Sequence, residues 1–84
     1  MQLINVGYGN MVAVSRVVAV VSPEAAPIRR LIQDARDAGH VVDATCGHKT
    51  KSVLMMDSDH VILSALMPET LAGRMDPGKG KEYA

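Results

Sequence analysis

The run Val17-Val18-Ala19-Val20-Val21 is apolar at every position. A strand that is wet on one side alternates apolar and polar residues, so an unbroken apolar run rich in β-branched side chains marks a strand buried on both faces. Val53 to Met56 and Val61 to Leu63 repeat the pattern. The sheet built from these strands therefore needs cover on two sides.

One helix is plainly written in the sequence. Ile28, Leu31, Ile32 and Ala35 fall at i, i+3, i+4 and i+7, which makes a single apolar stripe. Arg29, Arg30, Gln33, Asp34, Arg36 and Asp37 fill the opposite side, a mixed-charge face that reads as solvated. Pro27 suits the first helical position and Gly39 the residue just past the end. One such helix covers only one face of a sheet.

The rest of the chain supplies strands at Leu3 to Val6, His40 to Ala44, Ser52 to Met56 and Val61 to Ala65. A short helix runs from Glu69 to Met75 behind Pro68, and Met11 to Val14 is too short to classify. The predicted class is α+β: a small, mostly antiparallel sheet in the order β-β-α-β-β-β, with one main helix and a short C-terminal one. Residues 1–75 read as a single domain, and Asp76 onward, with its Pro, glycines and charges, as a disordered tail.

A chain of 84 residues buries only about 60% of its unfolded surface, so its core is marginal. With Cys46 as the single cysteine, no disulfide is available. A second copy of the chain is the expected cover for the remaining face, and a homo-oligomer the expected state. The alternative is that Met11 to Val14 and Leu71 to Met75 fold back over that face. The lone cysteine fits a reducing cytoplasm. The first residues lack the basic start and unbroken apolar core of a signal peptide, and no apolar run is long enough for a membrane span, so a soluble, cytoplasmic protein is expected.

Nine basic residues balance nine acidic ones, so net charge does not announce nucleic acid. Any grip on DNA must come from local charge, because phosphate contacts dominate affinity. With only Tyr8 and Tyr83 as aromatics, stacking on single strands is disfavoured and duplex is left open.

Several constellations have a plain explanation. Gly7-Tyr8-Gly9-Asn10-Met11 lacks the third glycine of a dinucleotide loop, with Val12 in its place, and reads as a turn. Cys46 and His48, with Asp43 or His40 nearby, form one irregular cluster rather than the paired spacing of a zinc site, so no metal or other cofactor is expected. Nothing identifies an acid to orient a Cys-His pair, and Asp57 and Asp59 read as turn formers; no enzyme is expected.

The link Thr45 to Lys51 is more informative. It carries His48, Lys49 and Lys51, and no acidic residue lies between Asp43 and Asp57. On charge alone an ordinary solvated turn is the plainer reading. Several copies on one oligomer, however, would multiply weak phosphate contacts and raise avidity by about 10²–10⁴.

Ile4-Asn5-Val6-Gly7-Tyr8-Gly9-Asn10-Met11-Val12, Ser22-Pro23, Ala26-Pro27-Ile28-Arg29-Arg30, Asp43-Ala44-Thr45 with Gly47, Asp57-Ser58-Asp59-His60-Val61 and Pro68-Glu69-Thr70 together resemble the RemA family of extracellular matrix regulatory proteins. The likeness runs from about Leu3 to Met75. It implies a cytoplasmic, nucleoid-associated bacterial transcriptional regulator that activates biofilm-matrix or osmoprotection genes. It implies closed homo-oligomeric rings that bind double-stranded DNA. Carried over by position, the DNA-contacting residues fall on Arg16, His48, Lys49 and Lys51. The family is arginine-rich at the last three. Lysine lacks the bidentate guanidinium fork, so the resemblance implies a grip by point charges here, with His48 contributing when protonated.

Overall fold

The computed structural model describes residues 1–75; the tail expected from Asp76 onward lies outside them. Strands β1 (Leu3–Asn5) and β2 (Met11–Ala13) come first, followed by one 3₁₀ turn at Val14–Arg16. Then come β3 (Val17–Val21), helix α1 (Ala26–Asp37), β4 (Val41–Asp43), β5 (Ser52–Met56), β6 (Val61–Ser64) and helix α2 (Pro68–Met75). The fold is α+β, as the sequence predicts.

The strands make two sheets rather than the expected one. β1 and β2 pair antiparallel as a hairpin of their own, with Ile4 opposite Val12. Within the stretch Met11 to Val14, unclassifiable from sequence, Met11–Ala13 becomes a strand because β1 supplies the partner that three residues cannot supply for themselves.

The second sheet has the order β3-β5-β6-β4, with β3–β5 and β5–β6 antiparallel and β4–β6 parallel. β3, α1 and β4 thus form a crossover with β5 and β6 slotted between its two strands. A bulge at Val18 interrupts the β3 register and leaves that side chain 70% exposed on the sheet edge.

Each face of the four-stranded sheet carries its own core. Val53, Val61 and Leu63 face α1, where Ile28, Ile32 and Ala35 pack against them. Leu31, at the margin of the expected stripe, stays 38% exposed. Leu54 and Ile62 point the other way, onto Ile4 and Val12 of the hairpin and Leu71 of α2.

The chain therefore covers its own second face. This corrects the expectation that another copy is needed there: the hairpin and α2 fold back and bury it. Two buried serines hold that arrangement. Ser64 Oγ donates to the Val6 carbonyl at 2.7 Å and accepts from the Leu66 amide at 3.1 Å, while Ser52 Oγ donates to the Leu66 carbonyl. Arg74 Nη1 donates to the Asn5 carbonyl at 2.7 Å, tying the end of α2 to β1.

α1 ends as its sequence requires. Gly39 takes φ +75°, and the His40 and Gly39 amides donate to the Ala35 and Arg36 carbonyls at 2.8 and 3.1 Å. That is the Schellman closure. At the other end the helix begins at Ala26, so Pro27 is the second helical residue rather than the first.

Candidate functional site: a cationic tip

The link from β4 to β5 is an ordered tip. Asp43 Oδ1 accepts from the Thr45 hydroxyl at 2.6 Å and the Thr45 amide at 2.9 Å, which fixes the departure from β4. The His48 amide donates to the Thr45 carbonyl at 3.0 Å, and Cys46 and Gly47 between them have φ of +53° and +82°. Positive φ at both central residues is the backbone of a type I′ turn. The Lys51 amide then donates to the Ser64 carbonyl at 2.8 Å, returning the chain to the sheet.

The β1–β2 turn has the same form. The Asn10 amide donates to the Gly7 carbonyl at 3.0 Å, across Tyr8 at φ +54° and Gly9 at φ +79°. The two turns meet. The Tyr8 ring stacks on His48, with centroids 5.1 Å apart and planes 18° from parallel. Tyr8 Oη lies 2.9 Å from His48 Nδ1, which also lies 3.2 Å from the Thr45 carbonyl. When Nδ1 carries no proton the tyrosine hydroxyl donates to it; when it does, Nδ1–H donates to the carbonyl. The imidazole is thus held at its inner nitrogen in both forms.

His48, Lys49 and Lys51 share this tip, as the sequence places them. Arg16 does not join it. It stands at the entry to β3, where its carbonyl accepts from the Asp57 amide at 2.9 Å and its guanidinium meets Asp57 Oδ1 at 3.4 Å. Met56, the last residue of β5, pairs with Val17, while Lys51 precedes the first, Ser52. The length of a five-residue strand, roughly 17 Å, separates the two positions. Among the described residues Arg16–Asp57 is the one ion pair, and it is exposed on both sides, so it contributes little to stability.

Sequence reasoning missed two participants. Tyr8 lies forty positions from its partner His48, and nothing in the glycine turn marks the contact. Arg29, assigned to a solvated helix face, lines a hollow together with Lys49 and Lys51. Nor do the suggested metal ligands assemble. Cys46 is exposed, and His40 packs against His60 with centroids 5.0 Å apart. Among the described residues no three His, Cys, Asp or Glu side chains are placed to hold a metal. No helix among them is long and apolar enough to cross a membrane.

Hydrogen bonds from the Thr45 hydroxyl, then from the Thr45 amide, hold the Asp43 carboxyl below the usual carboxylate range, with a smaller contribution from the Arg36 charge. A carboxylate whose folded pKa is depressed stabilises the fold above its unfolded value and loses that contribution as pH falls through the folded one. The stability gap between the native chain and Asp43→Ala is therefore expected to be full at neutral pH and to close below about pH 4. Urea unfolding of both proteins across pH checks this; a gap that persists in acid contradicts it.

The chain matches the family described as RemA-like, extracellular matrix regulatory protein A-like, over residues 3–75. It is 54% identical to extracellular matrix regulatory protein A of Bacillus subtilis over an 86-residue alignment that spans 94% of this chain and 97% of that protein. It is 59% identical over 75 residues to a protein of Geobacillus kaustophilus named for a regulatory role, covering 89% and 86% of the two chains. A similarly named protein of Heliobacterium modesticaldum is 61% identical over 74 residues, covering 88% and 81%. The hairpin, the split crossover sheet, the tip and α2 all lie inside the matched span, and the chain belongs to the RemA-like family.

Proposed function

We propose that this chain is a DNA-binding transcriptional regulator, not an enzyme. In this reading it grips duplex DNA as a ring-like homo-oligomer through phosphate contacts from the β4–β5 tip. Its expected targets are extracellular-matrix or osmoprotection genes. The supporting observation is that Lys49 and Lys51 stand exposed on a tip ordered by its own hydrogen bonds, with no ion pair to a carboxylate among the described residues. Such cations are free for an external anion, and holding them in place beforehand lowers the entropy cost of binding. The relatives named for regulation support the regulatory role.

Self-association has a different basis from an uncovered sheet face. Leu3 and Met11 project from the outer side of the hairpin, each about half exposed, and Val42 is exposed on the edge strand β4. These are the apolar contacts on which a second copy would seat. Assembly also answers the separation of Arg16 from the tip. One subunit cannot bring both to the same phosphate, whereas several subunits along one duplex present both sets to the backbone.

The same apolar residues also suit a second reading, in which the chain is a protein-interaction module that docks a different polypeptide and binds no DNA. Fluorescence anisotropy with a long labelled duplex across a salt series separates the two. Phosphate-driven binding falls linearly in log–log form, losing about 0.9 in slope per phosphate neutralised. A flat profile, or no binding at low salt, would leave the interaction module.

A further inference from the structure

Lys49 and Lys51 form a ridge between two hollows. One, about 300 Å³, holds Tyr8 and His48. The other, about 440 Å³, lies between the β3–α1 link, α1 and the start of α2, and it is lined by Arg29, Lys49, Lys51, Glu24 and Glu69 with Ser22. We propose that this larger hollow binds a small phosphorylated, hydroxyl-bearing molecule, a sugar phosphate or nucleotide. Its phosphate sits on Arg29, Lys49 and Lys51, and its hydroxyls donate to Glu24 and Glu69.

The lining argues for this class. Three cations from two segments of the chain, Arg29 of α1 and Lys49 and Lys51 of the β4–β5 link, line the hollow, and none is paired with a carboxylate among the described residues although two carboxylates line the same space. A guanidinium and two ammonium groups lining one hollow suit a phosphate, because the planar fork binds two oxygens at once and lysines add charge. Inside the hollow, Glu24 and Glu69 disfavour a bare anion that offers no hydroxyl to them. A polyol phosphate uses both signs, since carboxylates accept from sugar hydroxyls as they do from ribose in dinucleotide sites. The volume falls in the range of small-molecule pockets.

Lys49 and Lys51 are the residues that the duplex-binding reading places on DNA. A ligand in the hollow therefore competes with duplex and makes binding responsive to a metabolite. That consequence rests on the duplex-binding reading; the site itself does not.

Calorimetric titration of the full chain without DNA tests the site, using ribose 5-phosphate, adenosine monophosphate, inorganic phosphate and ribose as probes. Ribose 5-phosphate is expected to bind at least about tenfold more tightly than inorganic phosphate or ribose, a gain of one charge-assisted contact set. Adenosine monophosphate binding more tightly still assigns a nucleotide, and weaker binding assigns a sugar phosphate. Arg29→Ala, on an exposed helix position, should lose about tenfold for every phosphate-bearing probe with an unchanged thermal midpoint. Glu24→Gln with Glu69→Gln should erase the advantage over inorganic phosphate. Ribose 5-phosphate binding no more tightly than inorganic phosphate, or indifferent to Arg29→Ala, overturns the proposal. A chain that binds the sugar phosphate but no duplex sinks the DNA reading and leaves the site; the reverse result sinks the site alone.

Discussion

Lys49→Ala combined with Lys51→Ala is expected to abolish most duplex binding at low salt while the oligomeric state stays as it was. Both side chains are exposed, and neither makes a side-chain hydrogen bond or ion pair among the described residues. Their loss should therefore move stability by no more than about 0.5 kcal/mol, as at other surface positions without special contacts. The cost to binding is much larger. Two phosphate contacts per bound copy account for about 1.8 in the salt slope, and every copy on the duplex loses its share. The effect thus multiplies through the assembly, in the same way that avidity multiplies weak contacts. Anisotropy titrations at several salt concentrations, with light scattering on the same samples, read both quantities. Unchanged binding would remove the tip from the mechanism and leave Arg16, at the far end of β5, as the remaining candidate.

Leu71→Ala is the substitution expected to damage the fold most directly. Leu71 is fully buried and belongs to the same cluster as Ile4, Val12, Leu54 and Ile62. Truncating a buried leucine costs about 2–5 kcal/mol through lost transfer energy and the cavity left behind. A domain this small sits near the lower end of the 5–15 kcal/mol that folded domains possess, so about half of its stability is at stake. Loss of the anchor also loosens α2 from the sheet and uncovers Leu54 and Ile62. Denaturant unfolding should show the full drop at every protein concentration, with Arg30→Ala, exposed on α1, nearly neutral as the control. A mild, concentration-dependent effect would mean instead that another subunit, not α2, carries that face.

The fold was largely legible where the pattern is local. The stripe Ile28, Ile32, Ala35 and the closing Gly39 gave α1, and the unbroken runs at Val17, Val53 and Val61 gave the strands of the doubly covered sheet. Pattern alone could not say what covers the second face. A three-residue strand such as Met11–Ala13 has no period to detect, and it exists because Leu3–Asn5 lies opposite. The parallel pairing of β4 with β6 is equally invisible, being set by the crossover through α1.

The tip shows the same division. His48, Lys49 and Lys51 are neighbours in sequence and remain neighbours in space. Arg16 is a neighbour only through the resemblance, and the sheet puts it at the opposite end of β5. Tyr8 and Arg29 reach the tip through tertiary packing, which no local spacing encodes. Charge counting failed for a related reason. A balanced total of nine and nine hides the fact that no acidic residue interrupts the stretch from Ala44 to Met56.

Light scattering on the purified chain, alone and with a long duplex, addresses the central claim most directly, namely that clustered copies make a weakly cationic tip sufficient. The expected result is a defined multi-subunit species without DNA that persists and loads onto the duplex. A well-folded single subunit at working concentration, unchanged when duplex is added, would contradict it.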